Sequence, residues 1–90
     1  MPLFAIICHD RPGSLQVRLD AREAHLGFLR REGVVRLAGP LLEGGEMTGS
    51  LIVLEADSLE DAQGWADKDP YKAAGLFARV EISEWKKVIG

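Results

Sequence analysis

Residues 65–75 read Trp65-Ala66-Asp67-Lys68-Asp69-Pro70-Tyr71-Lys72-Ala73-Ala74-Gly75. The stretch ends one helix, turns at a proline and restarts in small residues that deliver the chain to its last strand. Proline disfavours helical geometry in the residue before it and suits the first turn of the helix that follows. Asp69 is thereby expected to cap a short turn of helix, its carboxylate facing backbone N–H groups. A second partner for that carboxylate is available elsewhere in the chain, at His25.

Upstream, Ser58-Leu59-Glu60-Asp61 has the pattern of a capping box and opens a helix whose inner face is Leu59, Ala62, Trp65 and Ala66. Downstream, Leu76–Ile82 alternates Ala78, Val80 and Ile82 against Arg79 and Glu81, the period of a strand. The earlier half repeats the order. Leu3–Cys8 is a strand that is apolar on both faces, and Arg11-Pro12-Gly13 is a turn. Ser14 is placed to cap a helix with leucines at 15, 19, 26 and 29. Arg22 completes that stripe, and His25, three residues on, shares its side. Arg30-Arg31 followed by Gly33 ends the helix. Val34–Leu37 reads as a second strand closed by Gly39-Pro40, Glu43-Gly44-Gly45-Glu46 as a hairpin loop, and Thr48–Glu55 as a third strand. Gly49 leaves room for a close approach to its backbone.

The order strand–helix–strand–strand–helix–strand predicts an α+β, ferredoxin-like βαββαβ fold, a four-stranded antiparallel sheet with two helices on one face. Residues 1–90 are expected to form one domain. Such a small domain buries only about two-thirds of its unfolded surface, so it gains from self-association. Strands that are apolar on both faces call for a second cover, which a homodimer packed sheet to sheet, a dimeric α+β barrel, supplies. The tail Trp85-Lys86-Lys87-Val88-Ile89 reads as a docking segment on the partner or on the chain's own sheet edge.

Composition excludes several function classes. Eleven Lys+Arg against fourteen Asp+Glu, net charge −3, leave no basic stripe for a nucleic acid. The apolar start is too short for a membrane span or a signal h-region, so no membrane partner and a cytoplasmic location are expected. Cys8 is the only cysteine, which rules out an internal disulfide; in a strand it reads as a packing residue. No phosphate-binding glycine loop, Gly-x-Ser-x-Gly elbow or His-Glu-x-x-His stands in the chain. No metal or other cofactor is expected. What remains is His25 with Asp69. A carboxylate on one imidazole nitrogen fixes the tautomer and makes an acid–base dyad, though a purely structural contact has the same spacing. Arg22 is placed to hold a substrate carboxylate, and Ser50 and Asp10 to add hydrogen bonds from strand ends.

At these residues the chain resembles the YCII-related (YciI-like) domain proteins. The resemblance runs nearly end to end: the opening strand ending in Asp10, Arg22-Glu23-Ala24-His25-Leu26, Ala38-Gly39-Pro40, and Thr48-Gly49-Ser50. It continues through Trp65-Ala66-Asp67, Asp69-Pro70-Tyr71 with Ala74-Gly75, and Trp85-Lys86-Lys87. It implies a ferredoxin-like dimeric α+β barrel and a site centred on His25 and Asp69 as catalytic pair. Arg22, Ser50, Asp10 and Tyr71 are then expected to bind a small carboxylated or ring-hydroxylated substrate. One family member removes chloride from a chlorinated hydroxyquinol, so the chemistry implied is of isomerase or lyase type; a non-catalytic dimeric ligand-binding domain is the alternative. This chain departs from the family in a shorter loop around Gly44-Gly45.

Overall fold

The computed structural model describes residues 1–90. Strand β1 (Leu3–Asp10) leads into helix α1 (Leu15–Arg30), then strands β2 (Val35–Glu43) and β3 (Glu46–Glu55). Helix α2 (Leu59–Ala66), the single turn α3 (Pro70–Ala73) and strand β4 (Phe77–Trp85) complete the chain. The strands form one antiparallel sheet in the order β2-β3-β1-β4. This is the ferredoxin-like split βαβ arrangement the element order predicts.

Strand alternation sends Phe4, Ile6 and Cys8 to one face, where they pack with Ile52, Leu54 and Ala62 into the core. Leu29, Trp65 and Ala66 close over it from the helices. The opposite face, with Ile7, Leu37 and Trp85, is left open and is apolar at its centre. The strand pattern anticipates this uncovered face. Val88 and Ile89 are nearly fully exposed and dock on nothing within the chain.

Four local expectations need correction. β2 does not stop at Gly39-Pro40 but runs on to Glu43, because it is the outer strand and a proline there costs no ladder bond. Ser14 precedes α1 without a side-chain cap bond, whereas Ser58 does accept from the Asp61 amide. Leu59 lies outward on α2. The leucine stripe is not the inner face of α1 either: Leu15 and Leu19 are exposed, and the buried residues are Arg18, His25 and Phe28.

The hairpin falls where the glycines put it, with Gly44 and Gly45 at φ +58° and +85°, both left-handed. The close approach at Gly49 is made by the neighbouring strand itself. A Cβ there would stand 2.3 Å from the Cys8 carbonyl oxygen. Backbone in mid-sheet cannot step aside cheaply, so Gly49→Ala is expected to cost about 1–3 kcal/mol of stability in chemical denaturation.

Candidate active site

The site is built where α1 faces α3. Asp69 caps α3: its Oδ1 accepts from the Tyr71 amide at 2.9 Å, with Pro70 in the first helical position. The same oxygen lies 2.8 Å from His25 Nδ1. A carboxylate oxygen that already accepts a backbone N–H takes a second donor, so Nδ1 carries the hydrogen and Nε2 is the free nitrogen. Both side chains are buried, at 8% and 3% exposure. Every fully buried side-chain nitrogen or oxygen has a hydrogen-bond partner, and Nε2 has none. It is therefore reached from a cavity. The pair predicted from residues 44 positions apart does meet.

That cavity measures about 190 Å³ and lies between α1 and the β2–β3 side of the sheet. His25, Arg22, Ser50 and Tyr71 are in its wall, along with Arg18 and the Ala38-Gly39-Pro40 segment of β2. Of the expected substrate-binding residues, Asp10 alone is not. Both its oxygens are held by Arg18, Oδ2 by Nε at 2.8 Å and Oδ1 by Nη2 at 2.9 Å. Ser50 is also engaged, its Oγ accepting from Arg18 Nη2 at 2.9 Å. Strand pairing explains the meeting: Ser50 stands opposite Cys8, so Cys8, Ser50 and, two residues along, Asp10 share the helix-facing side.

Arg18 is the residue the sequence reading missed. Arg22, assigned to the buried face, is exposed and sits at the cavity rim; Arg18, one turn earlier, is the buried cation. Burial is the largest influence on its guanidinium and acts to lower its pKa. The Asp10 hydrogen bonds and charge more than offset this, and the net shift is upward. Arg18 stays charged. The signal available for it was its spacing: residues 18, 25 and 28 fall on one side of a helix as well as the leucines do.

Tyr71 joins the two halves of the site. Its ring stacks on His25 with centroids 3.9 Å apart and planes 13° from parallel. Arg18 Cζ lies over the same ring at 4.8 Å from its centroid. Arg18 and His25 are two helical turns apart, about 10 Å along the axis, so the ring fills the space between them. Burial, foremost, pushes the Tyr71 hydroxyl pKa up, with the Arg18 and Arg22 charges opposing.

A larger cavity of about 360 Å³ lies beyond Asp69, against β1 and β4. Its wall is mainly apolar, with Ile6, Cys8, Trp65 and Phe77; of its charged residues, Asp67 and Lys72 bond to each other and Asp69 is turned to His25. No imidazole or guanidinium reaches it; those groups line the smaller cavity. Burial first, then the Asp69 and Asp10 charges, push the Cys8 thiol up to about 12 from 9.0. The folded protein is expected to resist a thiol-specific disulfide reagent at pH 8, with reaction appearing only on unfolding. Between about 9 and about 12 the unfolded chain ionises its thiol while the folded one does not. The contribution of Cys8 to stability is thus complete below the unfolded value and is lost as pH rises through that window.

The fold is that of the ferredoxin-like dimeric α+β barrel proteins. It is shared with a dimeric protein of unknown function from Bacteroides fragilis, at TM-score 0.57 and 19% identity over 96% of each chain. Within that class the family is specific: the YCII-related domain model matches residues 2–86, and the chain belongs to that family. Protein YciI of Escherichia coli O6:H1 is 41% identical over 96% of this chain and 98% of its own. The 5-chloro-2-hydroxyhydroquinone dehydrochlorinase of Burkholderia phenoliruptrix, solved with 2,5-dihydroxybenzoquinone, is 41% identical. It superposes at TM-score 0.87 over 93% of both chains. No helix of the present chain is long and apolar enough to cross a membrane.

Proposed function

We propose that this chain is a cofactor-independent enzyme of lyase or isomerase type acting on a small carboxylated or hydroxylated ring compound. The observation that carries the reading is the His25–Asp69 contact at 2.8 Å, with Nε2 left free on a cavity. A histidine so placed has a free ring nitrogen to take a proton from a substrate, and the carboxylate on Nδ1 stabilises the imidazolium that forms. For a chlorinated hydroquinone the step is loss of HCl. Nε2 takes a proton from a ring hydroxyl and returns it to the chlorine-bearing carbon, giving the keto tautomer. It then takes the proton of the second ring hydroxyl, whose O–H electron pair becomes a carbonyl bond. The ring double bond shifts towards the chlorine-bearing carbon, and the carbon–chlorine pair leaves as chloride, giving the hydroxyquinone. Water then recovers the proton from Nε2. Arg22 at the rim and the Tyr71 and Ser50 hydroxyls in the wall are the substrate-binding groups of this reading. The 41% identity to a dehydrochlorinase over 93% of the chain supports this reaction class. The protein is further proposed to be a single-domain cytoplasmic homodimer, paired through the open apolar face that carries Ile7, Leu37 and Trp85.

The test is chloride release from 5-chloro-2-hydroxyhydroquinone, followed with a chloride electrode against the protein-free rate. Saturable, protein-dependent release is the expected result. Saturable binding with no release above background is what a non-catalytic ligand-binding domain gives, and it would remove the enzymatic reading for this substrate.

A further inference from the structure

A guanidinium has five N–H hydrogens on three nitrogens. In Arg18, three are spent: Nε on Asp10 Oδ2, and the two of Nη2 on Asp10 Oδ1 and Ser50 Oγ. The two on Nη1 make no hydrogen bond of full geometry, although the guanidinium and the Tyr71 hydroxyl are near enough to act on each other. The side chain is only 3% exposed, and no fully buried nitrogen is left unsatisfied, so Nη1 is reached from the cavity that Arg18 helps to line. The Tyr71 hydroxyl lies beside the same guanidinium, close enough to feel its charge and hydrogen-bonding pull but with no bond of full geometry; Tyr71 is buried and lines that cavity. A salt bridge that only ties α1 to β1 needs one edge of the guanidinium. Here the other edge is presented to the space that holds the free nitrogen of His25.

We propose that Arg18 is a substrate-contacting residue whose Nη1, together with the Tyr71 hydroxyl, seats an oxygen-borne negative charge on the ligand. A carboxylate and the oxyanion of a ring hydroxyl share this chemistry. Asp10 and Ser50 hold the guanidinium in place; Arg22 is a second, outer cation that admits the anion at the rim. Preorganised donors in a water-poor pocket favour charge that sits, or develops, on oxygen. If His25 removes a proton from the substrate, the charge left behind has Arg18 to receive it. The inference thus deepens the reading above and rests on the same cavity being the substrate site.

Binding, not turnover, tests it. Isothermal titration of the wild-type protein with benzoate and with its neutral counterpart benzamide isolates the role of charge. Pentafluorophenolate, ionised at neutral pH, provides the ring-oxyanion arm, and the tighter of the two anions identifies which oxygen the site takes. At least one anion is expected to bind saturably, at least about tenfold tighter than benzamide. The double substitution Asp10→Asn with Arg18→Gln removes both charges without stranding either. It is expected to weaken that anion at least about tenfold while Arg22→Gln weakens it only a few-fold. Equal binding of anion and amide, or full affinity in a folded double variant, overturns the proposal. Should the double variant not fold, side-chain nitrogen spectra of the wild type decide the matter. The anion must shift the Arg18 Nη1 signal, and a shift confined to Arg22 defeats the assignment. Anion binding through Arg18 with no chloride release keeps this inference and drops the acid–base chemistry. Release that does not depend on Arg18 does the reverse.

Discussion

His25→Ala is expected to lower kcat for chloride release by roughly 10²–10⁴, the range a positioned general acid–base supplies. Asp69→Asn is expected to fall in the same range, and it is the more informative of the two. Asparagine is as good a helix cap as aspartate, so the bond from the Tyr71 amide, 2.9 Å in the parent, survives the change. The oxygen that caps α3 is also the one 2.8 Å from His25 Nδ1, so keeping the cap keeps a carbonyl oxygen facing Nδ1–H. What is lost is the charge: a neutral amide oxygen cannot stabilise the imidazolium as a carboxylate does. The fold is kept and the base is weakened. Thermal melts within a few degrees of the parent, alongside the kinetic loss, are the expected pair of results. Parent-like turnover in folded Asp69→Asn would mean that the contact serves only to tie α1 to α3, and the acid–base mechanism would go with it.

How much of this was legible follows from where each signal resides. Asp69-Pro70 is a local signal: proline restricts the residue before it and preorganises the one after, so the cap could be read from adjacent residues. Gly44-Gly45 is equally local, since two consecutive left-handed positions leave few other residues possible. The phase of α1 is not local. Leu15, Leu19, Leu26 and Leu29 define one stripe; Arg18, His25 and Phe28 define another beside it. Periodicity alone favours the leucines because burying an arginine is costly unless a carboxylate waits for it. That carboxylate is Asp10, eight residues earlier on a different element, and no helix pattern reports it. The same blindness misplaced Arg22 and made Asp10 look like a free ligand. The end of β2 was misjudged for a related reason. Gly39-Pro40 breaks an inner strand, and only the sheet order shows β2 to be an outer one.

Arg18→Ala is expected to be the most destabilising single change in the site, by about 3–5 kcal/mol, because it strands the buried Asp10 carboxylate. Asp10 is 7% exposed and has no other cation within bonding distance. Truncation also removes the cation from the Tyr71 ring and the donor from Ser50 Oγ. Domains of this size hold roughly 5–15 kcal/mol in all, so the variant should melt tens of degrees lower or fail to accumulate folded. Asp10→Asn with Arg18→Gln should lose much less, since the pair becomes two neutral amides that can still bond to each other. The difference between the single and double changes therefore measures the cost of the stranded charge and not the worth of the ion pair. A single change as mild as the double one would show that water or a local shift reaches Asp10. The guanidinium would then not be the rigid, dehydrated anchor that holding an oxyanion beside His25 requires.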